Sequence, residues 1–241
     1  MEFKIVDKIF EKYPELDVGV LVCKGIDNSK DSENVQKILR KVEEQKRKEI
    51  DSEKILEIPS ILKWREVYKS FGAKPSKYRN SAEALLRRVV GGNDIYKINS
   101  LVDIYNLVSL KYICTVGGED LDKLKGDLVL DFADGKEEFI ALGSDENHSP
   151  KEGEVVYKDN RGVICRRWNW RESDRTKLTE DTKNAIIVIE NLIPEEDENF
   201  KNALSELKTL IENYCGGNCE LNILNKENKE FEIKWKHLIG Y

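Results

Sequence analysis

The sequence predicts a mixed α/β protein, a central layer of β-strands and hairpins flanked by helices. Three observations predict it: short β-runs crowd the middle of the chain, amphipathic helical patterns stand on both sides of them, and no repeat or low-complexity linker divides the 241 residues. A hydrophobic content of 39% is enough for a sizeable core, and 36% charged residues of both signs make a well-solvated surface. A single domain over 1–241 is expected, with 1–60 an amino-terminal strand-helix portion and 190–241 a carboxy-terminal helix-strand extension.

In chain order, DVGVLVC from Asp17 to Cys23 reads as a buried strand. Ser32 to Ile50 carries Val35, Ile38, Leu39 and Val42 at helical spacing among charges. The next helix begins at Asn80, whose side chain suits an amino-terminal cap with Glu83 reaching back, and ends at Gly91-Gly92. INSLVDIYNLVSLK reads as a helix ending near Ser109. After Tyr112 the pattern turns to β: LVLDF and EEFIAL flank an Asp134-Gly135 turn, and EVVYK and GVICRR flank Asp159 to Arg161. AIIVI at 185–189 is a further strand, Glu196 to Tyr214 a helix, and CELNIL with FEIKW closing strands around a polar turn.

The net charge of −6 restricts contact with a polyanion to a local basic patch. No apolar run approaches the roughly 20 residues needed to cross a bilayer, and the first residues carry acids where a secretory signal would not. A cytoplasmic protein without membrane contact is expected. Its five cysteines, Cys23, Cys114, Cys165, Cys215 and Cys219, are then thiols. The Cys215-Gly-Gly-Asn-Cys219 spacing is half of a metal motif, but no second pair follows and neither His148 nor His237 stands at ligand spacing to it. Neither metal nor cofactor is expected. The nucleophile elbow, the phosphate-binding loop and the dinucleotide fingerprint are all missing.

Three segments carry candidate chemistry. On the INSLVDIYNLVSLK helix, Asn99, Asp103 and Asn106 fall within about 60° of one another with Ser109 at the edge. Solvated faces are normally written in Lys, Glu and Gln, so this choice points to short-range hydrogen bonds, to a ligand or to neighbouring loop backbone. In CTVGGEDLDKLKGD, Gly117-Gly118 permits close backbone approach and precedes Asp120 and Asp122; amides there suit an oxyanion, and a plain loop before a hairpin is the competing reading. Between Arg161 and Lys177 stand six basic and two acidic residues, a local charge of +4, together with Trp168 and Trp170. That cluster suits phosphate contact and base stacking, or a core tryptophan pair with arginines paired to acids.

Taken together, WREVYKSFGAKPSKYRNSAEALLRRV, INSLVDIYNLVSLK, VGGEDLDKLKGD, GEVVYKD and RRWNWRESDRT resemble the B3/B4 module of the phenylalanyl-tRNA synthetase β subunit, and more closely its free-standing relatives, from about Val18 to Ile189. The resemblance implies a B3/B4-like fold and trans-editing: hydrolysis of the ester joining a wrong amino acid to the tRNA 3′ end. It implies that Gly153-Glu154 matches the position whose carboxylate meets the substrate. On that scheme Glu154 is expected to pair with the substrate ammonium, Asn106 and Ser109 to orient water or carbonyl, and a Gly117-Gly118 amide to receive the oxyanion. An activated ester needs only a positioned water and a stabilised oxyanion, which explains the missing nucleophile.

Asp103, Asp120, Tyr157 and Gly153 are the expected substrate contacts, and Arg79, Arg87, Arg88, Arg166, Arg167 and Trp168 the expected tRNA contacts. Mischarged tRNA is the partner, with transient contact to the translation machinery. The amino acid is tyrosine, as in tyrosyl-tRNA(Phe), or a non-protein cation such as canavanine on tRNA(Arg). A non-catalytic tRNA- or protein-binding module is the alternative, and a hydrolase or binder of a free amino-acid derivative a third reading, which steep salt dependence would argue against.

Overall fold

Two β-sheets are stacked face to face, and a helical layer covers the outer side of one of them in the computed structural model, which describes residues 1–30 and 32–234. The strands are β1 (Glu2–Ile5), β2 (Asp17–Lys24), β3 (Thr115–Asp120), β4 (Leu128–Phe132), β5 (Val155–Asp159), β6 (Gly162–Arg166), β7 (Arg171–Glu172), β8 (Asn184–Asn191), β9 (Asn218–Leu224) and β10 (Glu230–Glu232). The helices are α1 (Asp7–Lys12), α2 (Ser32–Glu49), α3 (Pro59–Ser70), α4 (Ser81–Val90), α5 (Ser100–Tyr112) and α6 (Asp197–Tyr214). The four-stranded sheet runs β3-β8-β2-β9, all antiparallel; the six-stranded sheet runs β10-β1-β4-β5-β6-β7, with β1 and β4 parallel.

Strand alternation decides what each face meets. Leu21 and Cys23 of β2 and Ala185, Ile187 and Ile189 of β8 point into a core shared with α2, α4, α5 and α6. Val18, Val20 and Val22, with Ile186 and Val188, point the other way against Leu128, Leu130, Val155 and Ile164 of the second sheet. Both faces of β2 are therefore buried, which is why DVGVLVC is apolar almost throughout rather than alternating. Gly19 is required where α6 crosses β2: a Cβ there would collide with Leu204.

Several local expectations are met in altered form. The 80–90 helix is capped as read, Asn80 Oδ1 accepting from Glu83 N at 2.8 Å, but the Glu83 side chain binds Arg65 and Arg87 instead of reaching back. The fifth helix runs past Ser109 to Tyr112, and Ile113 at φ 52° ends it. EEFIAL does not pair with LVLDF. β4 takes β1 and β5 as neighbours, while Phe139 and Ala141 fold over the outer face of the β5–β6 hairpin against Val156 and Val163. Gly117 and Gly118 lie in an extended strand, not a turn. CELNIL lies in β9 and Phe231 and Glu232 of FEIKW in β10, and the two strands enter different sheets, β9 beside β2 and β10 beside β1; Trp235 and His237 lie outside the described residues. The thiol expectation is also corrected: Cys23 and Cys219 are register partners on β2 and β9 and form a disulfide, a pairing hidden by a separation of 196 residues. β1, α1 and α3 have no counterpart among the expected elements.

Candidate functional site

A cavity of about 300 Å³ opens between the two sheets, against the edge strand β3. Gly117 and Glu119 of β3 and Ile186, Val188 and Glu190 of β8 form one wall; Leu128, Tyr157, Ile164, Cys165 and Trp168 form the other; Asn169, Trp170, Arg171 and Glu172 complete the rim with Ser81. The lining is mainly apolar with a few converging polar groups, the usual make-up of a small-ligand site. Trp168 reaches it because Arg167 and Trp168 both adopt left-handed backbone, φ 48° and 66°, turning the chain sharply after β6. Two consecutive non-glycine residues in that region are costly and persist only where their surroundings hold them.

Three carboxylates converge on this space. Glu190 is buried; Tyr157 Oη donates to one of its oxygens at 2.9 Å and Thr115 Oγ1 to the other at 2.6 Å. Burial nevertheless pushes its pKa up to about 7. Burial pushes Glu172 up to about 7 as well, opposed by a hydrogen bond from the Gly118 amide. Glu119 stands well above the usual carboxylate range, first through burial and then through the adjacent Glu172 charge. Glu119 Oε2 and Trp168 Nε1 are buried without a hydrogen bond of ordinary geometry; Thr176 lies beside the first and the Tyr157 hydroxyl beside the second. Both atoms add polar groups to an otherwise largely apolar lining.

Linkage gives these carboxylates a stability signature. In the folded state Glu172 and Glu190 hold protons up to about pH 7, whereas the unfolded chain releases them near 4.5. Their contribution is therefore fully present below the unfolded value and is lost as pH rises through about 7. The difference in melting temperature between wild type and Glu190→Gln should move in favour of the variant between pH 5 and about 7.5, measured by scanning calorimetry. A difference that stays constant across the window would remove Glu190 from this account.

The two glycines of β3 serve different ends. A Cβ on Gly118 would strike Ile187 and come within 3.2 Å of the Ile186 carbonyl and 3.3 Å of Leu178. Gly118→Ala should therefore cost about 1–3 kcal/mol by overpacking, read from urea midpoints. A Cβ on Gly117 meets only Glu172 Oε1, at 3.8 Å, so Gly117→Ala should leave the midpoint within about 0.5 kcal/mol while intruding on the cavity. Equal losses for both would contradict this division.

Of the expected site residues, Gly117, Gly118, Tyr157 and Trp168 come together at the cavity. The polar stripe does not. Asn99 caps α5, accepting from Val102 N at 3.0 Å and donating to the Leu178 carbonyl at 3.3 Å. Asp103 accepts from Gln36 at 2.6 Å and Ile98 N at 3.1 Å, and Ser109 donates to the Cys114 carbonyl at 2.7 Å. Asn106 is half-buried on α5 and away from the cavity lining. Asp120 accepts from Thr182 at 2.7 Å and caps the turn at Leu121.

Glu154 is also placed outside the cavity. Arg166 donates to it from Nε at 2.7 Å and Nη2 at 2.9 Å, and the Arg167 amide adds a third bond at 3.3 Å. Gly153, at φ 78°, supplies the left-handed turn before it. Arg166 and Arg167 are thereby buried and Trp168 is fully enclosed, so these three do not offer a surface to tRNA. Arg87 pairs with Glu83 at 2.8 Å; Arg88 donates to the Asp94 carbonyl and stacks on Tyr96 at 3.9 Å; Arg79 is half-exposed, 3.8 Å from Glu83. The cavity carboxylates were not among the expected residues. Glu190 left one signal, an acid completing the apolar run AIIVIE.

The family model of the B3/4 domain matches residues 63–216, a stretch that contains every cavity residue. Among solved structures the chain is similar to an N-terminal fragment of the phenylalanyl-tRNA synthetase beta-subunit from Pyrococcus horikoshii, at 16% identity and a TM-score of 0.47. That similarity covers 90% of this chain and 49% of the other, so the chain spans about half the length of that fragment. No curated protein matches it in sequence. With nearly two thirds of its length matched by the family model, this chain belongs to the B3/4 domain family.

Proposed function

We propose that the protein is a trans-editing aminoacyl-tRNA deacylase whose reaction takes place in the cavity between the sheets. The observation that carries this reading is the set of three carboxylates, Glu119 and Glu190 buried and Glu172 half-buried, around a space the size of an amino-acid residue, inside the B3/4 region. Two adjacent carboxyl groups whose surroundings favour different protonation states supply an acid and a base in one site. Glu172, ionised from about pH 7 upward, takes a proton from water as the water oxygen bonds to the ester carbonyl carbon. Glu119, kept protonated by burial and by its neighbour, donates to the oxygen of the ribose ester as the carbon–oxygen bond breaks. The indole Nε1 of Trp168, which lies beside the Tyr157 hydroxyl in the cavity wall, is the donor to the tetrahedral oxyanion. Glu190 faces the amino acid itself.

A cavity lined by three carboxylates favours an amino acid with a cationic side chain, such as canavanine carried by tRNA(Arg), over tyrosine carried by tRNA(Phe). A guest cation would relieve the desolvation that holds these acids protonated. Deacylation of a panel of misacylated tRNAs tests the reading, with canavanyl-tRNA(Arg) expected to be cleaved fastest and tyrosyl-tRNA(Phe) slowly. Binding of the panel without cleavage of any member would leave a tRNA-binding module in place of an enzyme.

A further inference from the structure

We propose that the cavity has a second, rear connection to solvent, a chamber for one water behind α3, through which Glu190 exchanges its proton while a ligand fills the mouth. The inference rests on the deacylase reading for its purpose only; the route itself belongs to the free protein.

Three spaces stand in series. Behind the cavity lies a chamber of about 20 Å³ with Ser60 and Trp64 of α3, Cys114, Asn191 and Glu196 in its walls. Glu190 is the only described residue that lines both chamber and cavity. Lys63, Leu192 and Ile193 line both the chamber and an open surface groove beyond it. One buried water needs roughly 10–15 Å³, so the chamber admits a water and no larger ligand. Polar ties hold its walls: Ser60 Oγ donates to the Ile113 carbonyl at 2.9 Å and Asn199 Nδ2 to the Tyr112 carbonyl at 3.1 Å, fastening α3 and α6 to the end of α5. Asn191 is 8% exposed; its Oδ1 accepts from Ile193 N at 3.0 Å, and its Nδ2 has no partner among the described residues. The Glu196 carboxylate has neither a hydrogen bond nor an ion pair among them. A water in the chamber can accept from the amide and donate to a carboxylate, the two polar partners that hold a buried water in place.

Glu190 is the group such a water serves. Tyr157 and Thr115 donate to its two oxygens, and Asn169 lies beside it. The other titratable groups around it are Tyr68 on α3, with the Arg167 guanidinium beyond, Cys165 on β6 and Cys114. All three, and Tyr157, are pushed up by burial first and stay neutral near neutral pH. The Glu190 and Glu196 charges raise Cys114 further, so that thiol stands within electrostatic reach of both carboxylates. In the transfer, the O–H bond of the Glu190 carboxyl breaks as the chamber water takes its proton, and the water passes one of its own to the Glu196 carboxylate. One charge moves outward and nothing is oxidised. Hydrolysis of an ester yields a carboxylate, an alcohol and a proton, and a cationic guest paired with Glu190 expels the proton that Glu190 held. With the mouth occupied, both protons leave by the rear.

The test is ¹³C relaxation dispersion on the full chain with glutamate labelled at the side-chain carboxyl, recorded near the Glu190 midpoint, the signal being assigned by its loss in Glu190→Gln. Cys114→Leu, which fills the chamber, should slow proton exchange at Glu190 at least about tenfold, whereas Cys114→Ser should leave it unchanged. Glu196→Gln, at a half-buried position, should slow it several-fold and carries the test if Cys114→Leu does not fold. Wild-type exchange in Glu196→Gln and in a folded Cys114→Leu protein would overturn the proposal. So would equal slowing in Cys114→Ser, or a Glu190 carbon that never ionises across the pH range. The deacylase reading is judged separately, by whether the wild type cleaves a small aminoacyl ester that carries no nucleotide. Rear-route exchange without ester cleavage removes that reading and keeps this one; cleavage with exchange indifferent to the chamber does the reverse.

Discussion

Glu154→Ala should lower stability by about 3–5 kcal/mol, because it strands the buried Arg166 and Arg167 guanidinium groups without their counter-ion. The effect should appear as a large fall in the urea midpoint and as loss of the near-ultraviolet signal of Trp168, which the Arg167 turn holds in the cavity wall. Replacing both partners, as in Glu154→Leu with Arg166→Met, should recover much of the loss, since an apolar pair of similar volume removes the stranded charge. Any loss of hydrolysis in Glu154→Ala then follows from collapse of the turn. A Glu154→Ala protein that melts within 1 kcal/mol of the wild type, as in ordinary surface substitutions, would show that the carboxylate is not the anchor of this turn.

Glu172→Gln should reduce deacylation about a hundredfold to ten-thousandfold, the span usually lost with a general base. The isosteric amide keeps the fold and abolishes proton acceptance. In the wild type the rate should climb as pH passes through about 7, where Glu172 ionises, and the climb should be missing from the residual activity of the variant. Stopped or steady-state assays from pH 5.5 to about 9 separate the cases. A variant within threefold of wild type, with the same pH profile, would move the base to another group. Glu190→Gln should instead raise KM for a cationic aminoacyl group while altering kcat less, if the proposed placement of Glu190 against the side chain and not the ester holds.

Elements with strong local patterns were legible in the chain. The apolar β2, the capped α4, the long α5 and the β5–β6 hairpin each carry their own periodicity or turn residues. Elements defined by distant partners were not. β4 has the same composition whether it pairs with the next run or with β1 and β5, and nothing near Cys23 announces Cys219. The site divides on the same line. The glycines of β3 and the aromatic-basic segment stand out by composition, but the three carboxylates come from β3, β7 and β8 and meet only because two sheets stack. The stripe on α5 reads as a pocket wall, but Asn99, Asp103 and Ser109 spend their hydrogen bonds on backbone and Gln36, partners that sequence spacing does not reveal. Glu154 reads as a free acid until Arg166 is folded back upon it.

Each sheet seats one of its earliest strands beside one of its latest: β1 pairs with β10, and β2 lies between β8 and β9. Neither sheet is finished until about 200 intervening residues have been ordered or bypassed, a closure whose entropy must be met before the pairings repay it. Folding should accordingly be slow for a chain of this size and pass through species with an unfinished four-stranded sheet. The stretch matched by the family model, 63–216, contains the cavity but omits β1, β2, β9 and β10. Cut out on its own, it would expose the flank of β8 and both apolar faces that β2 covers, so its fate in a cell would be aggregation or proteolysis.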